Sequence, residues 1–450
     1  MIEPRPSHPP MPDPDAASAI PLHAGPGELG TEADSPQLLA DPVEYFTSGY
    51  RRHGPIFRTR YRGADWVTIA GIEANDFFWQ NTSDWSYGEA GPGFRDQFGP
   101  AYVTQLDGAP HLRKRRLLKP GFSAEAVSRY LPAMAREAGR FLQDREAWSS
   151  DANEWIPALL LALNRSSLLQ VELSAGQMRD AIRLEGELIY GVGVSAAPAE
   201  FFAGRGYPEL KARVFGWVDG ELQARLDGRR VPDNLQALID QDPGSLGPLS
   251  REELRNDAYM LLVAGIHNTA KLLTGIIERI SRDAAWVGEL RAELEGYGPD
   301  SFGRGLGQFP KLRATILEGE RLHPGGTFLK RRPLRELAFA GHTIAAGAPV
   351  MQAHTLPHFL PEYYPEPMAF RPARWLAGEP PPRKALADFG GGAHVCLGMN
   401  ITRLHVPVVL AELLRNYDWR MDYVPALRLT ADAGRGLEER HQPVALFRRK

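Results

Sequence analysis

The sequence predicts a mainly α-helical chain with a small β region. Two observations carry this reading. Apolar residues recur at helical spacing from Ala124 to Leu294, and the pattern shortens towards strands from Thr327 to Met351. Of the 450 residues, 43% are hydrophobic and 24% charged, an ordinary globular composition able to bury a large core. The formal net charge of -3 argues against nucleic-acid binding, which needs a basic footprint. The N-terminus lacks the charged-then-apolar pattern of a signal peptide, and no long run of purely apolar residues stands out. A cytoplasmic protein without a membrane span is therefore expected. A single cysteine excludes an intramolecular disulfide and a multi-cysteine zinc site. A lone cysteine is most often a small buried hydrophobe, so its neighbours must decide its role.

Residues 1–30 are rich in Pro, Ala, Gly and Asp and read as a disordered or loosely attached arm. Residues 31–450 read as one domain. Val67 to Ile72 suits a strand and Glu73 to Phe78 the helix after it. Residues 82–110 look loop-like but carry Trp85, Tyr87, Phe94, Phe98 and Tyr102, which suit a lid or a loop packed on the core. Helices follow, with breaks near Asp151, Ser174, Gly191 to Gly206 and Asp242 to Leu249. Ser250-Arg251-Glu252-Glu253 is a capping-box signature that opens a helical stretch to about Arg282. At the standard rise it would be roughly 50 Å long. Another helix should begin near Pro310 and stop before Pro324. Turns at Arg335-Glu336 and Gly341-His342 separate the later strands. Residues 355–388 are proline-rich and irregular, and a last helix should run from about Leu397 to Leu414.

The most informative segment is Phe389-Gly390-Gly391-Gly392-Ala393-His394-Val395-Cys396-Leu397-Gly398. It is a glycine-rich turn ending in a cysteine at a helix start. Unpaired N–H groups at a helix N-terminus lower a cysteine pKa, and glycines let backbone amides approach a sulfur and a flat macrocycle. An inert cysteine in a turn is the plain alternative. The spacing fits neither phosphate-loop nor dinucleotide patterns.

These residues resemble the cytochrome P450 family, whose pattern Phe-Gly-x-Gly-x-His-x-Cys-x-Gly is met at every fixed position. The resemblance implies the family fold and heme b (iron protoporphyrin IX), with Cys396 as the proximal iron ligand and Phe389 and Gly398 framing it. Thiolate ligation donates electron density to the iron. Glu318 and Arg321 match the family's Glu-x-x-Arg pair, i and i+3 on one helix face. Arg374, in Phe370-Arg371-Pro372-Ala373-Arg374-Trp375, matches its third partner. The implied role of these three is a buried structural network behind the cysteine loop. His111 and Arg115 match the family's His-x-x-x-Arg, and Arg331 its strand arginine, between Lys330 and Arg332. With His394 they are the residues implied to hold the two heme carboxylates.

On the implied distal helix, Ala264 and Gly265 match the family's small pair. The family usually follows with an acid and a threonine that relay protons into the distal pocket. Here those places read His267 and Asn268, and Thr269 stands one residue later, about 100° round the helix. Histidine can carry protons near neutral pH, whereas an amide cannot shuttle one as a hydroxyl does. Three enzymatic readings follow: a monooxygenase with a modified relay; an oxidase that couples or cyclises by radical steps with His267 as base; or an enzyme that cleaves an N–O or O–O bond already in its substrate, with Asn268 holding the heteroatom. A non-enzymatic heme sensor with His267 as distal ligand is a further alternative, and a protein without heme another.

The resemblance also implies a separate electron donor of ferredoxin or flavodoxin type, met by a basic face of Arg113, Lys114, Arg116, Arg383 and Lys384. The substrate is expected to be a mostly apolar small molecule, such as a natural-product biosynthetic intermediate. Trp85, Tyr87, Phe94, Phe201, Thr327 and Phe328 are the candidate pocket residues, with Tyr190 and Phe202 nearby.

Overall fold

A computed structural model describes residues 31–449 apart from 33–36, 39–40, 62–63, 89–91, 144–146, 194–197, 205, 242–243, 299–300, 304, 377–380, 383 and 423–443. The N-terminal arm and Arg383 lie outside the described residues.

Helix α1 (Pro42–His53) starts on the side chain of Asp41, which accepts from Glu44 N at 3.0 Å, with Pro42 in the first turn where no N–H is needed. The chain then forms β2 (Ile56–Tyr61) and β3 (Ala64–Ala70), which pair antiparallel beside the short β1 (Thr31–Glu32). Helices α2 (Ile72–Gln80) and α3 (Pro92–Phe98) flank the short strand β4 (Trp85–Ser86). The stretch expected to be loop-like thus contains a strand, the seven-residue helix α3, short helical turns at Thr82–Asp84 and Val103–Gln105, and the start of the next helix.

Helix α4 (Gly108–Leu118) leads into α5 (Ala124–Gln143), whose apolar face is Leu131, Met134, Ala138 and Leu142. Strand β5 (Ala147–Asp151) precedes α6 (Ala152–Ser167) and α7 (Ala175–Gly193). Then come α8 (Pro198–Ala203), α9 (Tyr207–Leu226) and α10 (Asn234–Asp240). Helix α11 (Arg251–Val263) opens on the predicted capping box: Ser250 Oγ accepts from Glu253 N at 3.1 Å, and Glu253 Oε2 accepts from Ser250 N at 2.9 Å. The helix does not run through to Arg282. Gly265 adopts φ +85, in the left-handed region, and a new helix α12 spans Ile266–Ile280. Together Arg251–Ile280 is long and apolar enough to cross a membrane, yet 61% of its most apolar window is buried inside the protein.

After α13 (Ala284–Glu293) and α14 (Pro310–Leu322) come β6 (Leu329–Pro333), the hairpin β7 (Leu337–Phe339) and β8 (His342–Ile344), and β9 (Val350–Ala353). Helix α15 (Met399–Asn416) is followed by β10 (Tyr417–Asp422) and β11 (Val444–Arg449). The main sheet has the order β1-β2-β3-β9-β6-β4, and a smaller one the order β10-β11-β5.

Helices α5, α6, α12 and α15 pack as a closed ring of neighbours, α5 on α6, α6 on α12, α12 on α15 and α15 on α5. Their shared core includes Met134, Leu159, Leu163, Leu273, Ile276 and Val409, all essentially inaccessible to solvent. Helices α7 and α9 pack on one another, and α9 also packs on α11. The main sheet closes the other end with its own apolar clusters. Cys396 and the break in the distal helix face a cavity between these parts.

Candidate active site

The cysteine loop is shaped by close contacts that admit no side chain. A Cβ on Gly391 would lie 2.4 Å from the Trp79 ring, and Gly392 has φ +65 with Thr82 and Trp79 closing on it. The loop turns back on itself through Cys396 N–H, which donates to Phe389 O at 2.9 Å. Cys396 is exposed to the cavity and stands three residues before α15, on whose first turns Ile401, Thr402 and His405 also line the cavity. Burial pushes the free thiol up, against the Gly398 and Met399 backbone N–H groups that pull it down. The helix start therefore does not by itself make a thiolate; a bound metal does so outright.

The cavity measures about 630 Å³. Its lining also includes Ala264, Gly265, Ile266, Asn268 and Thr269. The distal break puts these groups there. Ala264 N still bonds Met260 O and Thr269 N bonds Gly265 O, but the helix between them is interrupted. One freed carbonyl, Leu262 O, accepts from Asn164 Nδ2 of α6 at 2.7 Å. Asn164 is buried, lines the cavity, and was not singled out from the sequence, where it is a plain asparagine in a helix.

At one end of the cavity four nitrogen-rich side chains converge from three elements: His111 and Arg115 from α4, Arg331 from β6 and His394 from the cysteine loop. The rings of Tyr87, His394 and His111 form one stack, and the Arg331 guanidinium lies 3.8 Å from the centre of Tyr87. Arg115 Nη2 donates to Val395 O at 2.6 Å, tying α4 to the cysteine loop. Burial lowers His111, and lowers His394 to about 2, so both imidazoles are neutral. Arg331 Nε and His111 Nε2 are buried and have no hydrogen-bond partner among the described residues. Buried donors left unpaired are costly, so this end is built to receive anionic acceptors such as carboxylates.

Behind the loop, Glu318 and Arg321 are both fully buried. Arg321 Nε and Nη2 donate to the two oxygens of Glu318 at 2.9 and 2.7 Å. Arg374 Nε reaches Glu318 Oε1 at 3.1 Å, as the resemblance implied. Two further donors were not foreseen: Arg371 N to Oε1 at 2.8 Å and Trp375 Nε1 to Oε2 at 2.9 Å. Arg321 also donates to the carbonyls of His358, Pro367 and Ala369, so the network grips the irregular segment that leads to the cysteine loop.

The pattern of the family Cytochrome P450 matches residues 219–430, the stretch that holds the distal break, the Glu318 network and Cys396. Cytochrome P450 139 of Mycobacterium tuberculosis is 26% identical over 403 residues, covering 81% of this chain and 88% of that one. Cyclooctat-9-en-7-ol 5-monooxygenase of Streptomyces melanosporofaciens is 26% identical over 340 residues, covering 72% and 73%. A retinoic acid bound cyanobacterial CYP120A1 superposes with a TM-score of 0.79 at 20% identity, over 93% of this chain and 99% of that one. The chain belongs to the cytochrome P450 family. It is a heme-thiolate monooxygenase, and its cofactor is heme b.

The residues present fit that cofactor. The cavity lining combines the Cys396 sulfur with the small residues Ala264 and Gly265, and unpaired nitrogens of Arg331 and His111 are available to carboxylates. Of the expected pocket residues, Phe94, Thr327 and Phe328 line the cavity. Tyr87 lines it too, but within the histidine stack rather than on an open apolar wall. Trp85 does not: it is buried in β4 against Phe77 and Phe78. Phe201 is not among the lining residues either and packs edge-on to Phe202. The side chain of Tyr190 lies outside the described residues.

His267 is the main correction. Its Nδ1 lies 2.5 Å from Glu185 Oε2 of α7, and it is not among the residues that line the cavity. Helical phase within α12 explains this: 268, 269 and 272 share one face, and 267 is turned about 100° from 268 towards α7. Burial works to lower His267, but the Glu185 charge and hydrogen bond outweigh it and raise the imidazole above its ordinary value. A distal ligand or a base at the substrate is not what this position supplies. Asn268 does line the cavity, as does Thr269, whose Oγ1 lies 3.4 Å from Thr402 Oγ1.

The expected basic docking face also changes. Lys114 is fully buried, 2.7 Å from Asp257 Oδ2 and 3.5 Å from Glu253 Oε1, and locks α4 to α11. Arg113 is tied to Glu253 and to the carbonyls of Leu246, Gly247 and Pro248, and Lys384 pairs with Asp76. Of the four basic residues described, Arg116 is the exposed one.

Proposed function

We propose that the enzyme inserts oxygen into a mostly apolar small molecule, a natural-product intermediate, using electrons from a separate ferredoxin or flavodoxin-type donor. The observation that carries this reading is the cavity itself: a wall of Ala264, Gly265, Leu261, Leu272 and Phe328 facing Cys396, with Asn268 as a polar group on the distal side. Sites of this kind are apolar with few polar groups to fix orientation. The names of two similar proteins, a cyclooctat-9-en-7-ol monooxygenase and a retinoic acid complex, agree with such a substrate class.

In this reading Cys396 would ligate the iron, and His111, Arg115, Arg331 and His394 would hold the heme carboxylates. When bound, the heme supplies dioxygen activation, which thiolate ligation favours. The protein does the rest. Ala264 and Gly265 leave room in the cavity because neither carries a bulky side chain. Asn268 can donate or accept a hydrogen bond and so orient an oxygen or nitrogen of the substrate. Phe94, Thr327 and Phe328 exclude water and set the angle of entry. The Glu318 network holds the cysteine loop in register with the distal wall.

The test is the ferrous carbon monoxide spectrum, followed by turnover of candidate apolar substrates with and without dioxygen and reductant. A thiolate-type band that disappears in Cys396→Ser, with product formed only when both are present, is expected. Product formed without dioxygen would replace this reading by cleavage of a bond already in the substrate.

A further inference from the structure

A set of ionisable groups that the cavity chemistry leaves unused stands behind Asn268. The Asn268 side chain rests on the backbone of Gly325: a Cβ there would lie 3.0 Å from its Cγ and 3.4 Å from its Nδ2. The Gly325 N–H donates to Asp388 Oδ1 at 2.8 Å. The preceding carbonyl, Pro324 O, accepts from Lys271 Nζ at 2.8 Å. Lys271 stands three residues after Asn268 and so shares its helix face. Asn268, Gly325 and Asp388 all line the cavity.

Behind Asp388 the chain of groups continues outward. Glu320 of α14 is buried, and its Oε2 has no hydrogen-bond partner among the described residues. Its Oε1 lies 3.7 Å from Arg403 Nε of α15, a side chain 45% exposed. Glu320 senses the charges of both Arg403 and Asp388, so ionisable groups lie between the surface at Arg403 and Asn268 at the cavity wall. A buried carboxyl with an unpaired oxygen is costly to keep, and a structural role would have been filled better by an apolar side chain.

We propose that Asp388, recharged from the surface through Glu320, supplies protons to the distal pocket in place of the acid and alcohol usual at positions 267 and 268. The proposal rests on the monooxygenase reading. That reaction takes one dioxygen, two electrons from the donor and two protons, puts one oxygen atom into the substrate and releases the other as water. For each proton, the O–H bond of the Asp388 carboxyl breaks and an O–H bond forms on an oxygen held at Asn268. The Asp388 carboxylate takes a proton from Glu320, and Glu320 takes one from solvent beside Arg403. Asn268 orients the acceptor but passes no proton itself.

The groups facing Asp388 support the role. Burial pushes its carboxyl up to about 6, while Gly325 N–H, Lys271 from α12 and Arg403 from α15 pull it down. Burial pushes Glu320 up to about 7, opposed by Arg403 and Arg313 and reinforced by the charge of Asp388. Both carboxyls therefore hold and release protons near neutral pH, where an acid catalyst works best.

The experiment follows dioxygen reduction without an organic substrate, in which two electrons and two protons per dioxygen give hydrogen peroxide or four of each give two waters, so the same proton supply is drawn on. Heme-loaded wild type, Asp388→Asn, Asp388→Glu and Glu320→Gln are given electrons by a plant-type ferredoxin with its reductase. Dioxygen consumption is followed from pH 5 to 9 in H₂O and D₂O, and an infrared difference titration follows the carboxyl C=O bands. Asn at 388 keeps an acceptor for Gly325 N–H, so loss of the turn is not expected. The expected result is a wild-type rate that falls as pH rises through about 6, with a solvent isotope effect. In Asp388→Asn the rate falls by about 10²-fold, the size of a general-acid contribution, the pH step disappears, and one titrating carboxyl band is lost. Asp388→Glu recovers much of the rate. Glu320→Gln, away from the cavity wall, slows the rate without altering the carbon monoxide spectrum, and stands in if Asp388→Asn fails to load heme. A variant rate, pH profile and isotope effect equal to wild type at both positions would overturn the proposal. Wild type that takes electrons yet consumes no dioxygen would instead overturn the monooxygenase reading, and the proposal with it.

Discussion

Replacing Glu318 by glutamine tests how the cysteine loop is held. The side chain is fully buried, and its two oxygens accept five hydrogen bonds, from Arg321 Nε and Nη2, Arg371 N, Arg374 Nε and Trp375 Nε1. Glutamine keeps the shape but turns one acceptor into a donor and leaves the buried Arg321 without a counter-charge. Breaking a buried pair this way costs about 3–5 kcal/mol. Unfolding entropy of roughly 2.1 cal/mol/K per residue over 450 residues is about 1 kcal/mol/K, so Tm should fall by about 3–5 °C. Burial works to raise the Glu318 carboxyl, but the Arg321 bonds and charge, Arg371 N–H and Trp375 together hold it below its ordinary value. A depressed carboxyl contributes stability that is full above the ordinary value of 4.5 and is lost as pH falls through the lower folded value. The gap between wild type and Glu318→Gln should therefore be constant near neutral pH and close in acid. Calorimetry of the heme-loaded protein from pH 7 downward measures both. A Tm within 1 °C of wild type at pH 7, or a gap that does not close in acid, would refute the account.

Three further outcomes follow from the same geometry. Gly265→Ala forces a β-carbon into φ +85, where the new atom meets nothing within 4 Å, so the cost is backbone strain of about 1–2 kcal/mol; a urea midpoint equal to wild type would mean that the distal break is not needed. His267 is raised by Glu185, so their link stabilises fully below the ordinary 6.5 and is lost as pH rises through the raised folded value. In Glu185→Gln the imidazole should titrate at lower pH by NMR, and an unchanged titration would exclude the pairing. Arg331→Met removes a buried donor from the carboxylate end of the cavity; one charged hydrogen bond of about 1.5–3 kcal/mol corresponds to about ten- to hundred-fold weaker heme retention, read by transfer to apomyoglobin. Equal transfer rates would place the heme carboxylates elsewhere.

Much of the site was legible because its parts are local in the chain. The turn from Phe389 to Cys396, the capping box at Ser250 and the i, i+3 pair Glu318 and Arg321 are each set by residues a few places apart, and local sterics and hydrogen bonding leave them little choice. The helix start at Pro310 was readable for the same reason. What failed depended on partners far along the chain or on the phase of one helix. His267 sits one residue from the cavity face, and 100° of rotation delivers it to Glu185, 82 residues earlier. Trp85 was read as a pocket aromatic, but pairing of β4 with β6 turns it into the sheet core. Lys114 looked like surface charge until packing of α4 on α11 brought Asp257 to it.

The sequence by itself determined the chain's membership: a cysteine loop that closes on its own backbone, an ion pair within one helical turn, and two small residues in an apolar helix. The tertiary structure alone decided which side chains reach the cavity, where the distal helix breaks, and that Asp388, Gly325 and Asn268 meet at one wall. The reason is physical. Local motifs are specified by steric and hydrogen-bond rules over a few residues, whereas the exposure and partners of a polar side chain depend on which distant helices and strands the hydrophobic core brings against it.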